Sequence, residues 1–272
     1  MVNFDSQQQA SCHPHIRGGE GVWEKAEERR RGRRRDQSPG PTKNRVSASL
    51  VLIGTVHGDP RGYERVIGLL ERLRPETVTV EISRFSLRYR RDWEGRWQRQ
   101  LQETLAALPP GVAGHPAIRM VAAQIALPFE YRAARDYSRR YGAKCLPLDL
   151  GGLSRRHLPV YSRELLSPAN LQALAAEPQE SLEEAVDREF RRARSALERP
   201  LARLPLSGNP ETRRREFFVS RRLKRLVAKG GRVAHLGGWE HLIPREDGEG
   251  LRSWLEEQKP YVLLADTGDL LA

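Results

Sequence analysis

Cysteine is nearly absent from this 272-residue chain: Cys12 and Cys145 are the only two. Two thiols exclude a disulfide-dense scaffold and a zinc site built from four cysteines of one chain. They are compatible with a reducing compartment, and a cytoplasmic location is the expectation. Long apolar runs are absent as well. None approaches the roughly 18 residues that a membrane-crossing helix needs, so no transmembrane segment is expected. The first stretch, MVNFDSQQQASCHPHIRGG, lacks an apolar h-region, which argues against a secretory signal. Acidic residues are outnumbered: 35 Asp+Glu stand against 47 Lys+Arg, a net charge of +12. No internal repeat is present. What remains is a chain with 38% hydrophobic residues, enough for a sizeable core under a strongly charged surface.

Residues 1–46 differ from the rest. They hold glutamines, prolines, glycines and the run RRRGRRR at 29–35, with almost no apolar periodicity. Such a segment buries too little surface to offset its ordering entropy, so it reads as a disordered basic extension. About ten of its residues are basic and about six acidic, so roughly +4 sits there and roughly +8 on the remainder. Deleting residues 1–46 should leave the melting temperature of the remainder nearly unchanged. A loss of several degrees in a thermal melt would place the boundary elsewhere.

From residue 47 to 272 the pattern is that of one α/β domain. Leu50, Val51, Leu52 and Ile53 form an apolar run ending in Gly54, as a strand buried on both faces reads. Val66, Ile67, Leu70 and Leu73 follow at helical spacing, stopped by Pro75. TVTVEI at 77–82 returns to β-branched residues, so the three segments predict a parallel βαβ unit. Residues 86–108 predict a helix, and the following helical stretch should break at Pro128. Further strands are expected at 143–150, 231–238 and 261–266. Residues 163–228 predict two or three more helices, with SGNPE at 207–211 as a break. The fold class is therefore α/β, a mostly parallel central sheet of about five strands with a large helical insertion between strands three and four.

Three polar residues fall at or just past the carboxyl ends of predicted strands: His57 in GTVH, Glu81 in TVEIS and His241 in GGWEH. In an open parallel sheet that edge faces the ligand crevice. Gly54 and Gly238 each stand three residues before a histidine, giving two G-x-x-H patterns. Two imidazoles and a carboxylate suit a divalent metal, with Zn, Mn, Co or Fe all open, or a water activated by histidine. Glu81 closes an apolar strand, where a carboxylate is costly unless paired. If it is strained, Glu81→Gln should leave stability equal or improved. If it pairs with an arginine, the same change should cost about 3 kcal/mol or more. Asp149, in PLDL, is either a fourth site member or a helix cap. His235 reads as a buried mid-strand residue, His115 as a cap and His157 as exposed. Trp93, Trp97 and Trp239 read as packing residues.

The segment LIGTVHGDPRGYERVIGLLERLRPETVTVEIS resembles the opening block of the TraB/TIKI superfamily, which includes pheromone-shutdown proteins, GumN-like proteins and erythromycin esterases. ETRRREFFVSRRLKRLVAKGGRVAHLGGWEHL is similar to that family's second block, and ARDYSRRYGAKCLPLDL to the segment between them. The resemblance spans roughly residues 48–265. It implies a hydrolytic site on the sheet edge, metal-dependent and peptidase-like or histidine-dependent and esterase-like. His57, Glu81 and His241 match its motif positions, as catalytic groups and metal ligands. A helix arginine would be Arg214, with Arg213 the neighbouring choice. The transmembrane helices of many TraB members and the secretory signal of TIKI-type members have no counterpart here.

Two function classes follow. The first is a soluble hydrolase acting on a peptide, ester or lactone. The second is a non-catalytic basic protein, regulatory or nucleic-acid-binding, supported by the +12 charge and RRRGRRR. No recognised nucleic-acid motif accompanies the charge. Metal content and salt-dependent DNA binding distinguish the two. Oligomeric state is left open.

Overall fold

The computed structural model describes residues 49–177, 180–198, 210–245 and 248–270. The basic extension at 1–46 and most of the SGNPE break lie outside them. Five strands form one parallel sheet: β1 (Leu50–Thr55), β2 (Thr77–Val80), β3 (Lys144–Pro147), β4 (Val233–Gly238) and β5 (Tyr261–Leu264). Their order is β3-β2-β4-β1-β5. The fold is α/β, as the alternation of apolar strands and amphipathic helices dictates.

β1 is buried along its whole length, as a strand flanked on both sides must be. β4 pairs with β1 and with β2, so His235 faces Leu52 on one side and Thr79 on the other. The strands of the first βαβ unit are therefore parallel but not neighbours. This places the carboxyl ends of β2, β4 and β1 side by side, and with them the three segments that carry Glu81, His241 and His57.

Period-two alternation sorts the strand side chains onto two faces. Val51, Ile53, Val78, Val80, Ala234 and Leu236 pack with α1 (Gly62–Leu73), α4 (Phe129–Tyr141) and α7 (Leu182–Glu198). Leu50, Leu52 and Val233 pack on the other face against α8 (Pro210–Val227) and α9 (Leu251–Trp254). Each fully buried Leu, Val or Ile of these layers contributes about 1.5–3 kcal/mol from burial alone. A third cluster, around Trp97, Ile118, Ile125 and Leu166, joins α2 (Arg84–Ala106), α3 (Pro116–Ile125) and α6 (Pro168–Ala176). The helical insertion expected between strands three and four is present, with α6, α7 and α8 all falling between β3 and β4. The lobe also draws on residues before β3, since α2 and α3 contribute Trp97, Ile118 and Ile125 to it.

Helix ends follow local chemistry. Ser83 caps α2 by accepting from the Ser86 N–H, and His115 caps α3 by accepting from the Ala117 N–H. Pro128 separates α3 from α4, and Gly142 closes α4 in the left-handed conformation. Short α5 (Gly152–His157) follows β3, and His157 at its end is exposed. Among the described residues no helix is long and apolar enough to cross a membrane.

Candidate active site

Each motif histidine is held by a carboxylate from a different layer. Glu130 lies on the buried stripe of α4 with Ala133, Ala134 and Tyr137. Its Oε1 is 3.1 Å from His57 Nδ1 and accepts from Thr55 Oγ1 at 3.0 Å. Glu216 lies on the buried stripe of α8 with Thr212, Val219, Ser220 and Leu223. Its Oε1 is 2.5 Å from His241 Nδ1 and 2.8 Å from Arg245 Nη2, and its Oε2 accepts from the Leu251 N–H. Both imidazoles thus point Nδ1 at a buried carboxylate and turn Nε2 the other way.

The two Nε2 atoms meet at Gly238. A Cβ built there would lie 3.9 Å from each of them, so they are separated by at most twice that distance. A Cβ at 238 would be in van der Waals contact with both histidines. His57 is open to solvent, its side chain 73% accessible, whereas His241 is largely enclosed.

Glu81 lies beside them. Its Oε1 is 3.0 Å from His241 Nε2 and 3.1 Å from Arg215 Nη2. Its Oε2 accepts from the Gly238 N–H at 3.2 Å. Arg215 is clamped in turn by Asp149, which receives Nε and Nη2 at 3.0 Å each. Asp149 therefore anchors Arg215 and does not cap α5, whose N-cap is Gly151 with no side-chain capping bond.

The helix arginine needs a correction. Arg214 is exposed, and Arg213 pairs with Glu249 at 2.6 Å. It is Arg215 that reaches Glu81 and Asp149. Successive residues on a helix are rotated by about 100°, so only one of three consecutive arginines can face the sheet edge.

The electrostatics follow from this geometry. Burial opposes ionisation of Glu81, yet the His241 imidazolium and the Arg215 guanidinium hold its carboxyl well below the usual range. Burial likewise disfavours a charged His241, but Glu81 and Glu216 outweigh it and push the imidazole up to about 10. The hydrogen bond to Glu130 raises His57 above its ordinary value. Burial raises Asp149, and Arg215 pulls against that shift.

The donor types here suit a divalent ion, and ligating histidines are commonly oriented by a carboxylate on the second nitrogen. The arrangement does not fit one. His241 is already engaged at both nitrogens, Nδ1 lying 2.5 Å from Glu216 and Nε2 3.0 Å from Glu81. Arg215 already occupies Glu81 Oε1. Among the described residues no group of three or more His, Cys, Asp or Glu is set to hold a metal ion.

Compared with protein-family models, curated proteins and solved structures, the chain matches none.

Sequence reasoning reached His57, Glu81, His241, Gly54, Gly238 and Asp149, and the structure gathers all of them at one end of the sheet. Gly54 packs beneath, where a Cβ would meet Leu264, Leu242 and Trp239 at 3.0–3.1 Å. Missed were Glu130, Glu216, Arg215, Arg245 and Thr55. A signal for the two glutamates did exist. Each falls at i, i+3, i+4 spacing with the apolar residues of its helix, where a solvated carboxylate does not belong.

Proposed function

We propose that the chain is a hydrolase of the TraB/TIKI type, acting on an ester, lactone or peptide without a resident metal. The observation that supports this most is the pair of carboxylate-held histidines with both Nε2 atoms turned to the bare Cα of Gly238. His57 serves as general base. Its Nδ1–H donates to Glu130, which fixes the tautomer and leaves the Nε2 lone pair facing the crevice. Nε2 takes a proton from water while the water oxygen bonds to the carbonyl carbon. The proton then passes from His57 to the leaving oxygen or nitrogen as the acyl bond breaks. His241, charged, and Arg215 supply positive charge where the carbonyl oxygen becomes anionic. Glu81 is too acidic for a good base near neutrality, so its role is to hold His241 and Arg215 in place.

The pH profile tests these roles. Activity on a responsive substrate should rise with pH through a value above 6.5, as His57 loses its proton. It should fall again near 10, as His241 loses the charge that its two carboxylates retain. Stability should follow the second limb. Stabilisation from His241 is fully present below about 6.5 and is lost as pH rises through about 10. A profile whose acid limb lies near 4 would remove His57 from the base role. The screen is a panel of activated esters, lactones and peptides, run with and without chelator. Restoration by Mn, Co, Zn or Fe after chelation would overturn the metal-free reading.

A second reading is nucleic-acid binding, favoured by exposed Arg84, Arg88 and Arg91 on α2 and Arg214, Arg221 and Arg222 on α8. DNA affinity falling steeply with salt, with no turnover of the panel, would favour it. A cytoplasmic location belongs to the same proposal.

A further inference from the structure

Beneath Glu81 lies a polar group that hydrolysis leaves unused. His235 sits in the middle of β4 and is 1% exposed. Its Nδ1 is 2.9 Å from Thr79 Oγ1, and the Thr79 hydroxyl lies 3.3 Å from the Ala234 carbonyl. A hydroxyl has one proton to give. With that proton on the Ala234 oxygen, Thr79 accepts from His235 Nδ1–H. Burial holds the His235 imidazole down to about 4, so the ring is neutral and Nε2 carries a bare lone pair. Nε2 is fully buried and has no hydrogen-bond partner.

What it faces is another acceptor. A Cβ on Gly237 would lie 2.8 Å from Glu81 Oε2 and 3.3 Å from His235 Nε2. The two atoms therefore lie around one bare Cα, no further apart than those distances combined. No hydrogen bond joins them, and neither can donate to the other. Gly237 is not among the residues with positive φ, so its backbone does not require glycine. A Cβ there would instead press on Glu81 Oε2, so the bare Cα is what lets both acceptors approach this point. Two acceptors that lie 2.8 Å and 3.3 Å from one point beside a bare Cα fall within the span of one water that donates to both.

We propose that a single buried water molecule bridges His235 Nε2 and Glu81 Oε2 over Gly237, and that His235 acts through it as a positioning residue for the Glu81 carboxylate. The water completes a set of four donors on Glu81, beside the Gly238 N–H, His241 and Arg215. It approaches from below the sheet edge, away from the exposed His57. The role in catalysis rests on the hydrolase reading, but the water site does not.

A crystal structure of the full chain resolving ordered water, with long-range proton–nitrogen spectra of histidine-labelled protein near pH 7, tests it. The expected result is one water within hydrogen-bonding distance of both atoms, and an unprotonated Nε2 on His235. A protonated Nε2 touching Glu81 directly, or a dry gap, overturns the proposal. His235→Gln keeps a polar atom near the water, whereas His235→Leu removes it. The His241 Nε2–H signal should shift in His235→Leu and return towards its original position in His235→Gln. An unmoved signal in His235→Leu would overturn the positioning role. If His235→Leu does not fold, the wild-type spectra and map still decide the water. Absence of turnover on every substrate would sink the hydrolase reading and leave these measurements untouched.

Discussion

Arg215→Ala is expected to cost about 3–5 kcal/mol of stability, measured by urea unfolding, because it strands two enclosed carboxylates at once. Asp149 would keep only the Leu150 N–H, and Glu81 would lose the cation on its Oε1. Arg215→Lys should recover little. Asp149 receives two nitrogens of one planar guanidinium, a geometry that an ammonium on a flexible stem does not reproduce. Arg214→Ala is the internal comparison. Its side chain is exposed, so the change should stay within about 0.5 kcal/mol. Equal losses at both positions would show that the helix is seated in another register. A loss under about 1 kcal/mol for Arg215→Ala would reduce its ion pairs to surface contacts.

The second large effect is on chemistry. Glu81→Gln should lower kcat/KM about 100-fold on any substrate the panel identifies, because it releases His241 and Arg215 from where they meet the carbonyl oxygen. It should also cost about 3 kcal/mol of stability. Sequence left two outcomes open for this substitution, relief of a strained carboxylate or loss of a structural pair. The structure points to loss. Glu81 accepts from Arg215, His241 and the Gly238 N–H, and an amide nitrogen cannot accept, so at least one donor is orphaned. Glu216 still faces His241 and Asp149 still holds Arg215, which keeps the cost at the lower end. A variant as stable as the parent would mean that these contacts add nothing. Parental activity would remove Glu81 from the site.

How much of this was legible depends on the distance between a signal and its partner. Strands announced themselves, because β1 and β4 are runs of apolar residues with glycine at the end. A residue just past such a run lands on the sheet edge whatever the strand order, which is why His57, Glu81 and His241 could be named. Strand order could not be read. Nothing in residues 50–80 says that β4, some 150 residues later, will separate β1 from β2. The arginine was missed by one position, since the phase of α8 is set where Arg215 meets Asp149, an element far away in sequence. Glu130 and Glu216 were visible as carboxylates on apolar stripes. Their purpose was not, because it needs the knowledge that α4 and α8 cover opposite faces and meet the two histidines at one edge.

The insertion of β4 between β1 and β2 also governs when the sheet can exist during synthesis. When residues 50–147 have been made, β1 and β2 have no neighbour in common, and each offers an open edge of unpaired N–H and C=O groups. Only when residues 233–238 leave the ribosome can one strand close both gaps, and only then do Glu81, His57 and His241 come together. At about 5–20 residues per second that delay lasts several seconds to about twenty. A chain cut short before β4 would therefore be a sheet split down the middle, prone to pair with copies of itself.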